Sequence, residues 1–329
     1  MAIVANTFQS TAAVGNREEL SDVVDRITPE DTPIYSMISK GKCDSVHPEW
    51  ETDSLAAPAA NIQLEGDDYT FAATTPMDRV GNYTQILRKD GIISETQDAV
   101  DNAGRAEQVK YQKLKKATEL RKDVEFMIVD ANASVAGATR ESGSLSTWIE
   151  TNVSRGATGA NGGFNSGTGL TVAATDGTQR AFTKTLLDGV MQQGYEAGAD
   201  FRHVVVSPYV KSVFVTFMSD SNVAQFRYAA SNGKNNSIVA NADVYEGPYG
   251  KVMIHPNRVM STAATSRNAF LLDTDKLGFK WLRKIKEDKK VAKTGDAKKF
   301  VMIGEGTLCP KNEAGLGVVA DVFGLTAST

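Results

Sequence analysis

Cysteine is nearly absent from this 329-residue chain: Cys43 and Cys309 lie far apart and in no pairing motif. Two such residues cannot build a disulfide framework, which points to synthesis in a reducing compartment, the cytoplasm. Histidine is almost as scarce. His47, His203 and His255 include no two at ligand spacing, and no cysteine or carboxylate cluster stands beside them, so no metal site is expected. Long hydrophobic runs are missing too. No stretch approaches the ~20 apolar residues that cross a bilayer. Residues 1–15 lack the basic start and the apolar run of a signal peptide, so neither membrane insertion nor export by that route is expected. There is no surplus of one charge: the formal net charge is −4, without the basic excess of a dedicated nucleic-acid binder. Proline is sparse (9) against 28 glycines, a balance that suits long loops between well-formed elements.

Catalytic signatures are lacking as well. The chain has no Gly-x-Ser-x-Gly elbow, no CxxC pair and no HExxH helix. The glycine tract at 155–169 is followed by no Gly-Lys-Ser/Thr ending, so a flexible surface loop is expected there, not a phosphate cradle. Ser39-x-x-Lys42, Ser219-Asp220 and Lys293-Thr294-Gly295 imitate fragments of a serine β-lactamase. That chemistry needs Ser39 to open a helix with Lys42 one turn on, but Gly41 sits between them, and Ser219-Asp220-Ser221-Asn222 breaks the middle motif by one residue. The pairs Glu18-Glu19 and Asp67-Asp68 suit solvated ends, not a buried general acid. No enzyme is expected: no catalytic, cofactor-binding or metal-ligating residue, and no cofactor.

What is present is uneven. Asn16 and Glu19 form a capping box ahead of Leu20, Val23, Val24 and Ile27, and a second short helix is expected from Asp31-Thr32-Pro33, carrying Ile34, Met37 and Ile38. Each has an apolar stripe with no nearby partner. Residues 46–52 and 79–96 suggest an extended two-stranded excursion whose tip, 55–76, has neither helical nor clear strand period. A structureless segment of that length needs cover from elsewhere. A long amphipathic helix is expected over 103–135, through Val109, Leu114, Leu120, Val124 and Ile128. Residues 137–178 form a Gly/Ser/Thr/Asn-rich loop region. Then follow a helix at 183–197 stopped by Gly198, a strand at 203–206, and a helix opened by Pro208. A polar loop at 219–243 leads to strands around the turn 246–250, a strand at 269–273, a long hairpin (278–291 and 298–308), and a last strand at 317–323.

Several stretches, in this order, resemble the tailed-bacteriophage major capsid proteins of the Hong Kong 97-like fold. They include Ala13-Val14-Gly15-Asn16-Arg17-Glu18, Asp31-Thr32-Pro33-Ile34, His47-Pro48-Glu49-Trp50 and Asp53-Ser54-Leu55-Ala56-Ala57. Glu65-Gly66-Asp67-Asp68, Gly81-Asn82-Tyr83-Thr84-Gln85, Thr96-Gln97-Asp98-Ala99-Val100 and Ala103-Gly104-Arg105 continue the series, which closes on 291–296 and Asn312-Glu313-Ala314. The resemblance implies an α+β fold with an N-terminal arm (1–42), an extended β-hairpin loop (43–95), a peripheral domain with a long spine helix and long β-hairpin (96–180 and 256–308), and an axial domain (181–255 and 309–329). It implies a self-assembling subunit of hexamers and pentamers, made in the host bacterial cytoplasm and resident in the virion capsid. Scaffolding, portal and decoration proteins are implied partners, with non-specific contact to packaged DNA and none to a membrane. An encapsulin-type compartment shell is the alternative from the same fold, and a serine hydrolase using Ser39 and Lys42 the alternative from another class.

The basic run Lys280, Arg283, Lys284, Lys286, Lys289, Lys290, Lys293, Lys298 and Lys299 has two readings. It contacts an acidic neighbour or DNA, or it is a solvated hairpin face that discourages edge aggregation; the second is favoured. No aromatic platform interleaves it, which argues against sequence-specific nucleic-acid binding.

Overall fold

The computed structural model describes residues 28–69, 71–74, 76–100, 107–217 and 243–323. The expected helix at 16–27, the loop at 219–242 with its Ser219–Asn222 motif, the pair Glu18-Glu19, and residues 103–106 of the long helix lie outside the described residues.

In chain order, α1 (Pro33–Met37) carries its proline in the first turn, where the missing N–H costs nothing. It is followed by β1 (Ser39–Lys42), β2 (Glu49–Thr52), β3 (Asp78–Gly81) and β4 (Gln85–Ser94). The short α2 (Glu95–Ala99) is capped by the Ser94 side chain, which accepts from Gln97 N, and α3 (Gln108–Val129) comes next. Three short strands, β5 (Val153–Ser154), β6 (Gly163–Asn165) and β7 (Leu170–Val172), precede α4 (Lys184–Ala197), which Gly198 ends at φ 86°. Then come β8 (His203–Val206), α5 (Pro208–Phe217), β9 (Val244–Gly247), β10 (Gly250–Pro256), β11 (Ala269–Leu272), β12 (Leu277–Glu287), β13 (Ala297–Pro310) and β14 (Leu316–Val319).

Two sheets organise these elements. One has four strands in the order β1-β12-β13-β4, and the other has six in the order β5-β14-β11-β8-β10-β9. The central strands of the larger sheet read as unbroken apolar runs, HVVV and AFLL, because both faces are buried. Alternation along them splits the interior in two. Val205, Phe270, Leu272 and Val318 face a core shared with α1, α3, Trp148 and Phe279. Val204, Val206, Leu271 and Val319 face a second core closed by α4 and α5.

Three expectations need correction. First, α1 has a partner in its own chain: Ile34 and Ile38 are buried in the α3 core, and β1 continues from it parallel to β12. Second, the long helix ends at Val129, six residues early. Asp130 is already extended, its carboxylate accepts from Ala264 N (3.2 Å), and Thr265 Oγ1 donates to the carbonyl of Val129, so a distant segment satisfies the helix end. The 22 residues span about 33 Å. Third, 137–178 is not a surface loop throughout. Leu145, Trp148 and Ile149 are buried, and the glycine tract is packed: a Cβ on Gly156 would lie 2.1 Å from the Thr178 carbonyl oxygen.

Candidate interaction surface

The excursion between β2 and β3 is shorter than the sequence suggests. The two strands pair antiparallel only from Glu49↔Gly81 to Thr52↔Asp78, and β4 leaves the excursion to pair with β13 over its whole length. From 53 to 77 the described residues form no regular element. Leu55 (98% exposed), Phe71 (95%), Ile62, Leu64, Tyr69 and Met77 all stand in solvent. The only charged residues between 53 and 77 are Asp53, Glu65, Asp67 and Asp68. Gly66, at φ 83°, turns the chain between the last three. An apolar, acidic segment held away from its own core is the signature of a surface built for contact.

Its root, by contrast, is fixed. Trp50 lies 5.6 Å from Trp148, which stacks on Phe164 at 5.6 Å and 4° between planes. His47 stacks on Tyr83 at 4.2 Å. Asn82, fully buried, directs its amide nitrogen at Ser142 Oγ, the Gly143 carbonyl and the Leu308 carbonyl, while its oxygen accepts from Gly143 N (2.8 Å). Beside it, the buried Glu305 receives Thr84 Oγ1 (2.9 Å), Arg283 Nε (2.8 Å) and the Arg140 guanidinium. Burial works against its charge, but these donors outweigh it and hold the carboxyl below the ordinary glutamate range.

A second buried carboxylate sits on α3. Glu125 accepts from Ile34 N (3.0 Å), Tyr35 N (2.8 Å) and Asn257 Nδ2 (2.6 Å), tying α1, α3 and the end of β10 together. No cation pairs with it among the described residues, and desolvation raises its pKa despite the three donors. The sequence carried one hint, a glutamate between Val124 and Phe126 in an otherwise apolar turn.

Next to the root, β1 forms an edge of the four-stranded sheet and all four of its residues are exposed. Between β1, β2 and β12 lies a groove of about 350 Å³, walled by Trp50 and Phe279 and carrying Lys40, Lys280 and Lys311.

The residues of the β-lactamase-like fragments are not brought together. Ser39 opens a strand and its hydroxyl donates to the Leu277 carbonyl (3.2 Å), whereas Lys42 pairs with Asp44 at the surface. Lys293 sits in the β12–β13 turn, 2.5 Å from Glu95. The structure does join two histidines that sequence spacing kept apart. His203 Nδ1 lies 3.0 Å from His255 Nε2, because β8 and β10 are parallel neighbours, and burial lowers both pKa values. No group of three or more potential metal ligands occurs among the described residues. Of the basic run, Arg283, Lys293 and Lys298 pair with Glu305, Glu95 and Asp98. Lys284, Lys286, Lys289 and Lys290 are exposed with no ion pair among the described residues. No helix among the described residues is long and apolar enough to cross a membrane.

The family model of the SU10 major capsid protein matches residues 4–323. A major capsid protein of Escherichia phage Phieco32 is 31% identical over 127 residues, 38% of this chain; the match spans only 36% of that relative's length. The capsid of Cyanophage A-1(L) superposes with a TM-score of 0.60 at 11% identity, covering 95% of this chain and 98% of the other. An encapsulin complex from Synechococcus elongatus superposes with a TM-score of 0.55 at 8% identity, covering 98% and 99%. At such identities the structures show the shared fold, α+β and Hong Kong 97-like.

Proposed function

Because the chain belongs to the SU10 major capsid protein family, we propose that it is the shell-building subunit of a tailed-phage head, assembling with copies of itself as hexamers and pentamers around packaged DNA. The observation that carries the proposal is the segment 53–77, whose apolar side chains find no cover among the described residues while its root is locked by Asn82 and Trp148. Burying such side chains is worth ~1.5–3 kcal/mol each, a driving force available only on association. In this proposal the loop within 43–95 lies over a neighbouring subunit, and residues 1–42 are the arm. α3 is the spine of a peripheral domain built from 96–180 and 256–308. α4 and the strands β8, β9 and β14 belong to an axial domain of 181–255 and 309–329, whose sheet is completed by β5 and β11 from the peripheral ranges. The unpaired lysines of the β12–β13 hairpin suit non-specific contact with DNA or with an acidic neighbour. Portal, scaffolding and decoration proteins are further partners of such a shell, and its role is structural, not catalytic.

An encapsulin-type compartment shares the fold, and it is the family match that favours the phage head. Expression of the full chain, followed by sedimentation and negative-stain microscopy, tests the proposal. Rings or closed shells are expected. A monodisperse monomer at every concentration, resistant to protease within 53–77, would overturn it.

A further inference from the structure

The geometry points to a seat for the loop on a second copy: we propose that the groove beside β1 receives residues 64–69 of a neighbouring subunit's loop. This inference rests on the shell reading above and names the surface through which one copy holds the next. Three features of the groove match three features of the segment.

The first is charge. Lys40, Lys280 and Lys311 surround the groove, and none has a carboxylate partner among the described residues. Lys40 lies 4.4 Å over the Tyr35 ring, Lys280 5.3 Å over Trp50, and Lys311 donates to the Asp275 carbonyl (2.9 Å). One acid, Glu51, also lines the groove, leaving a net positive seat. The segment offers Glu65, Asp67 and Asp68, all exposed and with no Lys or Arg between 53 and 77. Opposed charges of this kind set register and encounter rate between subunits.

The second is shape and polarity. The apolar floor of the groove is made by Phe279 and Trp50, beside Gly41 and Gly278. No residue of the chain's own 53–77 segment lines it. Leu64 and Tyr69, 77% and 88% exposed, flank the acidic turn and supply the apolar groups that such a floor would cover. DNA phosphates would use the lysines but leave this floor unmet.

The third is unsatisfied hydrogen bonding. β1 pairs on one side only, with β12, so its outer edge can take an added extended strand.

Charge exchange in the full chain tests the seat. Lys40→Glu with Lys311→Glu, and separately Asp67→Lys with Asp68→Lys, should each lower shell yield by about tenfold at equal protein concentration, and the four changes together should restore most of it. All four positions are exposed, so the fold should persist, which circular dichroism verifies. If either charge-reversed pair assembles like the parent, or the combination is no better than each pair alone, the seat is wrong while the shell reading stands. A parent chain that forms no shell counts against the shell reading itself. Independently, shells carrying Asp68→Cys with Lys311→Cys should give covalent multimers after mild oxidation. Assembled shells that yield only monomer on a denaturing gel would also overturn the seat.

Discussion

Residues 53–77 hold Leu55, Ile62, Leu64, Tyr69 and Phe71 in water, whereas residues 142–152 take Ser142, Ser144, Ser146, Thr147 and Asn152 out of it. Composition alone would have placed the two the other way round. The difference lies in closure. Each hydroxyl of the second segment finds a partner: Ser142 meets Thr307 Oγ1 at 3.0 Å, Thr147 donates to the Ser144 carbonyl at 2.8 Å, and Asn152 Nδ2 reaches the Ala314 and Leu316 carbonyls. A fully partnered polar network is stable inside a protein. The first segment begins directly after its last strand pair, Thr52↔Asp78, and its apolar side chains need area that no described residue supplies. Burial here follows from who completes the contacts, the same chain or another.

The contrast can be broken most forcefully at Asn82, the pin between loop root and polar network. Asn82→Ala strands the Gly143 N–H and three acceptors, and should cost about 3 kcal/mol in urea denaturation. Acid should act on the same network with a smaller effect. Glu305 titrates below the ordinary 4.5, so its stabilisation is complete above that pH and is lost as pH falls through the folded value. Thermal melts of the unassembled chain should therefore show a loss as pH falls below 4.5 that Glu305→Gln removes. The smallest effect belongs to the exposed loop. Leu55→Ser with Phe71→Ser should leave monomer stability within about 0.5 kcal/mol while lowering assembly. A monomer destabilised by several times that amount would mean that the loop has a core of its own.

Local periodicity made much of the fold legible. HVVV at 203–206, Pro208 at a helix start, Gly198 at a helix end and the strand at 269–272 lie where pattern placed them. What escaped was pairing across distance. Asn82 meets Ser142 and Leu308, 60 and 226 residues away, and no local pattern marks an asparagine as a pin. The His203–His255 contact needs the parallel register of β8 and β10. Ser/Thr-rich 142–152 carried the composition of a surface loop because composition records hydrophilicity and not whether each group is matched. The exposed excursion was visible for a related reason: a segment without period has no core to join.

Glu125 has one more consequence. Peeling α1 from α3 would take two of the three donors from the buried Glu125 carboxyl and leave the Ile34 and Tyr35 N–H groups without it, so this helical turn is riveted to its own chain. If the arm proposed for 1–42 reaches another subunit, it must pivot ahead of Pro33, and its reach is counted from that fixed post.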